Sequence, residues 1–301
     1  MDNRLQSHRV SVVVLTHNRR EEVIRALNWA RRSAPESPLI VVDNASTDDT
    51  VSQIRKHFPD VHLVSSATNL GAAGRNLGVE IADTDYVAFC DDDVGWMPQA
   101  LARACEILDR HLDVAVLSAA IVVGAEGSPD PACEPMARSP LPGEPDIGPA
   151  LVGFMAGACV MRVSAFRQVG GYWPGLFLGG EELLLALDLM EKGWRILYAP
   201  QIMARHWPSL NRDAAARRRL LARNALLIAW MRLPWRPAVS EMWRTLRQLP
   251  DWHVRLDALM EAAHHAHISG ARHRPVSERT CSLLARVRGA EAPPRRQHAL
   301  H

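Results

Sequence analysis

Val10-Ser11-Val12-Val13-Val14-Leu15 decides the fold. A short run this rich in β-branched side chains, followed at once by the polar loop Thr16–Arg19, is typical of a strand buried on both faces. The pattern repeats, with further buried strands predicted at 39–42, 61–64, 86–90 and 114–117 and a helix between consecutive strands. Strict alternation over the first 120 residues predicts an α/β fold with a mainly parallel twisted sheet flanked by helices.

The composition is typical of a soluble globular protein. Of 301 residues, 48% are apolar and 23% charged, which excludes collagen-like, coiled-coil and wholly disordered chains. The chain has no run of about 18 apolar residues, and Met1–Arg4 leads straight into a strand pattern. We therefore expect neither a membrane-spanning helix nor a cleaved signal peptide. Five scattered cysteines without a C-x-x-C pair indicate reduced thiols in a cytoplasmic protein.

The pattern divides the chain into three parts. Residues 1–210 form the α/β domain, 211–288 a helical C-terminal extension with helices near 212–232 and 238–267, and 289–301 a disordered tail. Within the first part, residues 125–149 hold seven prolines and almost no apolar periodicity. This stretch predicts a surface loop, with disorder in the absence of a ligand.

Charge is distributed unevenly. Residues 212–301 carry a formal charge of +10, whereas residues 1–211 carry −8. A basic C-terminal part favours an anionic partner, such as a membrane surface, a phosphorylated lipid or nucleic acid, although solvated arginine-rich helices explain it equally well. The basic, then apolar, segment Arg217–Arg232 suits peripheral membrane contact, or packs on its own domain. The tryptophans are typical of a core or acceptor-site wall, so no nucleic acid is expected.

Polar clusters follow three of the predicted strands: Thr16–Arg19, Asp43–Asp48 and Asp91–Asp93. Ligands of open α/β sheets bind outside the carboxyl ends of the strands, so we expect these clusters to meet at one edge. Adjacent carboxylates at a strand end can hold Mg²⁺ or Mn²⁺ and leave room for substrate phosphates. The alternative for Asp91–Asp93 is a solvated acidic turn.

Two further segments suit a nucleotide. Asp43 follows a buried strand, where its carboxylate can accept from a nucleobase N–H or a ribose hydroxyl, or it simply shapes a turn and helix cap. In Asn69–Asn76 the small residues permit close approach of a ligand, and Arg75 can reach a diphosphate. The spacing matches neither G-x-G-x-x-G nor a P-loop, which argues against dinucleotide and ATPase sites.

Taken together, these blocks resemble glycosyltransferase family 2, inverting enzymes of the GT-A fold that use nucleotide-diphosphate sugars. The blocks that match in order and spacing are Val12–Arg19, Val41–Thr50, Asn69–Asn76, Phe89–Asp93 and Phe177–Glu182. The resemblance covers about residues 8–210. It implies a nucleotide-sugar site made by Thr16, Asn18, Arg19, Asp43, Asn44, Arg75, Asp91 and Asp92.

The resemblance also implies a metal site and a catalytic base. Asp91 and Asp93 match the DXD motif, and His206 matches a histidine that ligates Mn²⁺ or Mg²⁺ in some relatives. Glu182 matches the usual base, with Glu181 as its rival. Since both open a predicted helix, the helix dipole is expected to keep them ionised at neutral pH.

The chain departs from the family at Leu184 and Asp188, where relatives carry Asp and Arg. The departure leaves open which acceptor is held there. It is also the only support for a catalytically silent sugar-nucleotide-binding or scaffold protein. A sugar-phosphate nucleotidyltransferase, the other alternative, would need a glycine-rich basic loop after the first strand, and Thr16–Arg19 has no glycine.

The leading hypothesis is a metal-dependent inverting glycosyltransferase. It would move sugar from a nucleotide-diphosphate donor to a glycan or lipid-linked acceptor, in making a surface polysaccharide, a glycolipid or a glycosylated natural product. Its expected place is the cytoplasm, at the inner face of the cell membrane. The sugar, the base and the acceptor stay open.

Overall fold

The computed structural model describes residues 9–124, 126–208, 214–268 and 273–291. The strands are β1 (Val10–Thr16), β2 (Leu39–Asp43), β3 (His62–Ser65), β4 (Tyr86–Asp91), β5 (Val94–Trp96), β6 (Val114–Val123), β7 (Ser128–Pro129), β8 (Leu141–Glu144), β9 (Gly148–Ala150), β10 (Ala158–Arg162) and β11 (Arg195–His206). The helices are α1 (Arg20–Ser33), α2 (Thr50–His57), α3 (Arg75–Ile81), α4 (Ala100–Arg110), α5 (Cys133–Ala137), α6 (Val163–Val169), α7 (Glu181–Glu191), α8 (Ala214–Arg232), α9 (Trp235–Arg247), α10 (Trp252–Ile268) and α11 (Glu278–Glu291). Short 3₁₀ turns lie at Gly71–Gly74 and Pro174–Leu176.

The sheet has the order β3-β2-β1-β4-β10-β6-β11-β9-β8, with β5 beside β11 and β7 beside β6. Pairing is parallel in β3-β2-β1-β4 and between β6 and β11. Strand β10 runs antiparallel between β4 and β6, because an antiparallel return needs no crossover helix. The α/β prediction is confirmed, and the sheet is mixed.

The register of the central strands aligns the predicted polar clusters. Thr16 of β1 lies opposite Asp43 of β2, and Leu15 lies opposite Asp91 of β4. These strands are buried along nearly their whole length, as their β-branched composition predicts. The carboxyl-end clusters therefore meet at one sheet edge, as expected.

The proline-rich stretch 125–149 is more ordered than its composition predicts. It contains β7, α5, β8 and β9, and buries Cys133, Leu141 and Ile147. The prediction of a loop without regular structure is wrong here, because proline is tolerated in edge strands and three irregularly spaced apolar anchors give no periodic signal.

The described part of the C-terminal extension consists mainly of the four helices α8 to α11. Leu227 and Ile228 of α8 share an apolar cluster with Leu184 and Leu187 of α7, whereas Leu226 faces a second cluster with α9 and α10. The predicted helix at 238–267 is two helices, separated around Pro250, which has no N–H to continue the first.

The sequence makes predictions for both ends of the chain, and the structure describes only part of them. Helix α11 continues to Glu291, so positions 289–291, which the sequence assigns to a disordered tail, are helical; Gly289 is tolerated inside the helix at modest cost. Residues 292–301, and the first residues used to judge a signal peptide, lie outside the described part. None of the described helices is long and apolar enough to cross a bilayer.

Replacing Leu187 tests the packing between α7 and α8. The side chain is 1% exposed inside the shared apolar cluster, so Leu187→Ala should lower the free energy of unfolding by about 2–5 kcal/mol in urea titrations. Leu112→Ala, at a position 71% exposed, is the control and should change it by less than about 0.5 kcal/mol. Equal effects of the two variants would contradict this packing.

Candidate active site

Two arginines pair with different members of the three consecutive aspartates at the end of β4. Nη1 of Arg19 donates to Asp92 at 2.9 Å and to Asp93 at 3.3 Å. Arg75, from the start of α3, forms an ion pair with Asp91. The three adjacent carboxylates are thus charge-compensated by the protein itself, which lowers their mutual repulsion.

The Arg19 side of the site lies at the end of β1. Thr16, 2% exposed, donates its hydroxyl hydrogen to Asp92 at 2.9 Å. Burial raises the pKa of Asp92 to about 7, against the opposing effects of Arg19 and of the Thr16 hydroxyl. Asp92 therefore changes charge near neutral pH.

A histidine and a second aspartate approach Asp93 from other elements. Nε2 of His206, at the end of β11, is 3.8 Å from Oδ1 of Asp93, and Nδ1 is 3.5 Å from Oδ2 of Asp130. The Asp93 carboxylate raises the pKa of His206. A carboxylate on the far nitrogen of a histidine is the usual device for orienting a metal ligand.

The predicted metal ligands fit a cation in part. The 3.8 Å separation of Asp93 and His206 is less than twice a Mg²⁺–ligand distance of about 2.1 Å, so one ion can contact both. Asp91 instead faces Arg75. Among the described residues no three His, Cys, Asp or Glu side chains form a ready cage, so the remaining ligands would come from phosphate oxygens and water.

The Arg75 side of the site is buried. Arg75 is 5% exposed, its guanidinium lies 5.9 Å from the centre of the Tyr172 ring, and its Nε has no hydrogen-bond partner among the described residues. Burial is the largest single effect and lowers the pKa of Arg75, but Asp91, Tyr172, Glu181 and Glu182 together outweigh it and leave that pKa above its ordinary value. Gly157 lies against the Asp91 carboxylate, which would have to shift to make room for a Cβ at this position.

Glu181 and Glu182 occupy the first turn of α7. Glu181 is 5% exposed, and its Oε2 has no partner among the described residues. Burial and the neighbouring Glu181 raise the pKa of Glu182 to about 7. The pKa of Glu181 is raised as well, so at both carboxylates the cost of burying charge exceeds the benefit expected from the helix dipole.

The predicted nucleotide residues on the next loops mainly organise the backbone. Oδ1 of Asn18 accepts from Thr47 N–H at 2.7 Å, and the Asp43 carboxylate faces Ser46 N–H at 3.3 Å. The Asn44 amide donates to Gly71 O at 3.0 Å and accepts from Leu70 N–H at 2.8 Å. These side chains hold the Thr16, Asp43 and Gly71 loops in a fixed relation at the sheet edge.

Sequence reasoning missed two members of the site. Asp130 lies in the proline-rich stretch, where no spacing indicates a role, and Tyr172 lies among the turn-forming residues of 170–175, where no motif marks it. The family departures also have an explanation in packing. Leu184 is buried against α8, and Asp188 pairs with Arg232 of α8 at 2.7 Å.

Comparison with known proteins gives one family and several relatives. The sequence model described as "Glycosyl transferase family 2" matches residues 11–170. The pre-mycofactocin glycosyltransferase of Mycobacterium tuberculosis is 31% identical over 217 residues, covering 66% of this chain and 43% of that protein. The N-acetylglucosaminyl-diphospho-decaprenol L-rhamnosyltransferase of the same organism is 28% identical over 223 residues, covering 61% and 72%. The chain thus spans less than half of the first relative.

Solved structures show the same fold. The mannosyltransferase PcManGT from Pyrobaculum calidifontis, in complex with GDP-Man and Mn²⁺, aligns over 94% of this chain and 79% of its own, with a TM-score of 0.58 and 21% identity. At this identity the likeness concerns architecture alone.

Because the pKa of Glu182 is raised, we expect Glu182→Gln to stabilise the protein by an amount that depends on pH. A folded pKa of about 7 lies above the ordinary 4.5, so the wild-type protein loses stability as pH rises through this interval, and Glu182→Gln escapes that loss. The melting temperature of the variant relative to wild type should be at least about 2 °C higher at pH 8 than at pH 5, as expected for ~1 kcal/mol.

Glu21→Gln is the matched control, since Glu21 is also the second residue of its helix but is exposed. Its effect on the melting temperature should be the same at both pH values. An equal, pH-independent effect of Glu182→Gln would contradict a raised pKa.

Proposed function

The chain belongs to glycosyl transferase family 2, and from this we propose that it transfers a sugar from a nucleotide-diphosphate donor to an acceptor hydroxyl, with inversion at the anomeric carbon. Its fold is the GT-A fold, as the resemblance implied. One observation carries the proposal. At one edge of the sheet, Asp92 and Asp93, which lie beside Arg19 and His206, come close to the acid pair Glu181 and Glu182 at the start of α7.

The Arg19 side suits the donor. Thr16, Asn18 and Asp43 lie at the strand ends where a nucleotide would bind, and Arg19 can turn from Asp92 and Asp93 to a diphosphate oxygen. Asp93 and His206 would hold Mn²⁺ or Mg²⁺. The ion, when bound, supplies positive charge against the leaving nucleoside diphosphate.

The acid pair suits the acceptor. Glu182 would take the proton from the attacking hydroxyl, and its pKa of about 7 is well placed for a base that works near neutral pH. Glu181, also raised in pKa, would disfavour ionisation of Glu182. Arg75, whose charge favours ionisation of both, limits this effect and keeps a fraction of Glu182 in the basic form.

The relatives support the finer points. One solved neighbour holds GDP-Man and Mn²⁺, which favours a divalent cation here. The name of the rhamnosyltransferase specifies a diphospho-decaprenol substrate, which favours a lipid-linked acceptor. The silent-scaffold alternative loses its support, because the packing of Leu184 and the Asp188–Arg232 pair explain both departures without loss of the acid pair.

Membrane contact is proposed through α9 rather than through Arg217–Arg232. Of the apolar side chains of α8, Leu226, Leu227 and Ile228 are buried in the protein, whereas Trp230 is 39% exposed. Helix α9 instead presents an exposed row at helical spacing, Trp235, Val239 and Trp243. Arg236 and Arg247 lie over the two tryptophan rings, at 5.0 Å and 4.9 Å. Exposed tryptophan beside arginine suits an anionic bilayer surface, at the cytoplasmic face of the membrane.

Donor binding tests the transferase proposal. In a panel of UDP- and GDP-sugars with and without Mn²⁺, at least one donor should raise the melting temperature in a metal-dependent way, since a ligand bound only by the folded state stabilises it. Asp93→Asn should abolish that shift. Glu182→Gln should retain it and lower release of nucleoside diphosphate by at least about 100-fold.

Asp83→Asn, which removes an exposed carboxylate just before β4, is the control and should change neither readout. A protein that binds no donor with either Mn²⁺ or Mg²⁺ would refute the proposal.

Vesicle flotation tests the α9 surface. The protein should bind phosphatidylcholine vesicles only when they contain phosphatidylglycerol. The double variant Trp235→Ser/Trp243→Ser should bind at least about tenfold more weakly, because it lacks the two rings that would be buried in the bilayer interface. Leu112→Ser, at another exposed apolar position, should bind as wild type. Unchanged binding of the double variant would rule out this surface.

A further inference from the structure

A buried asparagine of the C-terminal extension holds the loop that leads into the acid pair. Nδ2 of Asn224, on α8, lies 2.9 Å from Leu176 O, 3.0 Å from Leu178 O and 2.6 Å from Gly179 O. Asn224 is 1% exposed. Three of the four backbone carbonyls from residue 176 to residue 179 thus share one side-chain amide.

Arg223 fixes the orientation of that amide. Its Nε and Nη2 donate to Oδ1 of Asn224 at 3.0 Å and 2.7 Å, and Nη2 also donates to Leu176 O at 2.9 Å. Because the arginine occupies the amide oxygen, the NH₂ group of Asn224 has to face the loop.

The loop depends on support from outside itself. Phe177, Gly179 and Gly180 all have positive φ values, of 63°, 92° and 85°, and a non-glycine residue pays conformational energy there. A Cβ on Gly179 would meet Leu221 of α8, and one on Gly180 would meet Ile228. The positions 221, 224 and 228 form one face of α8, and this face is seated on the loop.

The opposite side of the loop reaches the donor half of the site. Phe177 O accepts from Ala72 N–H at 2.7 Å, and Gly71 leaves no room for a Cβ beside Phe177. The turn Gly71–Gly74 leads directly into Arg75. The loop 176–180 therefore ties α8 on one side to the turn that carries Arg75 on the other.

We propose that Asn224 is a positioning residue for the catalytic base: through three carbonyls, α8 sets the direction of the first turn of α7 and thereby the place of Glu182. The proposal rests on the proposed function in taking Glu182 as the base. It makes the C-terminal extension part of the active site rather than an appendage to it.

A purely structural role for Asn224 makes a different prediction. It would lower stability while leaving the surviving folded enzyme unchanged. Positioning instead couples Asn224 to Glu182, whose charged neighbours are Glu181, Arg75 and Asp91. If the Asn224 amide is removed, the loop 176–180 is no longer held and water reaches Glu182. The effect of Glu182 on stability should then depend less on pH.

The first experiment is a double-mutant cycle that needs no substrate. At pH 5 and at pH 8, the melting temperature is measured with and without the Glu182→Gln substitution, and the increase that the substitution causes is calculated. The difference between the increase at pH 8 and the increase at pH 5, here called the rise, is determined in the wild-type and Asn224→Ala backgrounds. We expect the rise to fall by at least half in the Asn224→Ala background. Leu227→Ala, on the same helix, is the control: it should lower stability and leave the rise intact.

The second experiment separates kcat from KM. Release of nucleoside diphosphate is followed with UDP-glucose and GDP-mannose as probes in the presence of Mn²⁺. Asn224→Ala should lower kcat at least about tenfold with a KM for the donor within about twofold, because a base held out of place affects the chemical step and not donor binding. Leu227→Ala should retain the wild-type kcat.

Arg223→Lys serves as the second variant should Asn224→Ala not fold, since it keeps the asparagine and its charge environment while removing the two-nitrogen grip on Oδ1. Arg223→Lys should also reduce the rise between pH 5 and pH 8, as Asn224→Ala is expected to do. If both variants lower stability as Leu227→Ala does and leave the rise and kcat unchanged, the positioning role is refuted. If the wild-type protein turns over no donor, the proposed function fails instead, and the substrate-free cycle still decides the role of Asn224.

Discussion

Charge compensation at the carboxyl edge of the sheet is the constraint on which the rest of the site depends. Three consecutive aspartates end a buried strand, two of them with almost no exposure, and such a cluster repels itself unless cations lie beside it. Arg19 and Arg75 supply that charge from two different loops. Both loops must therefore fold back onto β4, which fixes the relation of the Thr16, Asp91 and Arg75 segments before any ligand arrives.

The same compensation prepares the site for an anionic ligand. A diphosphate brings charge that competes with Asp92 and Asp93 for Arg19, and a cation shared by Asp93 and His206 would replace the arginine as their counter-charge. Donor binding would then be an exchange of partners within a preformed polar cluster.

The C-terminal helices extend this logic to the acid pair. Glu181 and Glu182 carry charge that burial disfavours, so their position has to be held by neighbours and not by their own solvation. Helix α7 is held along its apolar side by α8, at its middle by the Asp188–Arg232 pair, and before its first turn by Asn224. Leu184 and Asp188, the two positions at which the chain departs from the family pattern, are part of this attachment.

The α/β class, the strand ends where polar residues gather, and the family can all be predicted from the sequence, because β-branched runs and the Asp91–Asp93 block are local patterns. The sequence does not reveal the antiparallel β10, the regular structure within 125–149 or the division into two helices near Pro250. The folded chain is needed to see which arginine neutralises which aspartate, that burial outweighs the helix dipole at Glu182, and that Asn224 reaches the loop before the acid pair. These outcomes depend on contacts between residues far apart in the chain, and on the depth of burial that such contacts create, which no local spacing records.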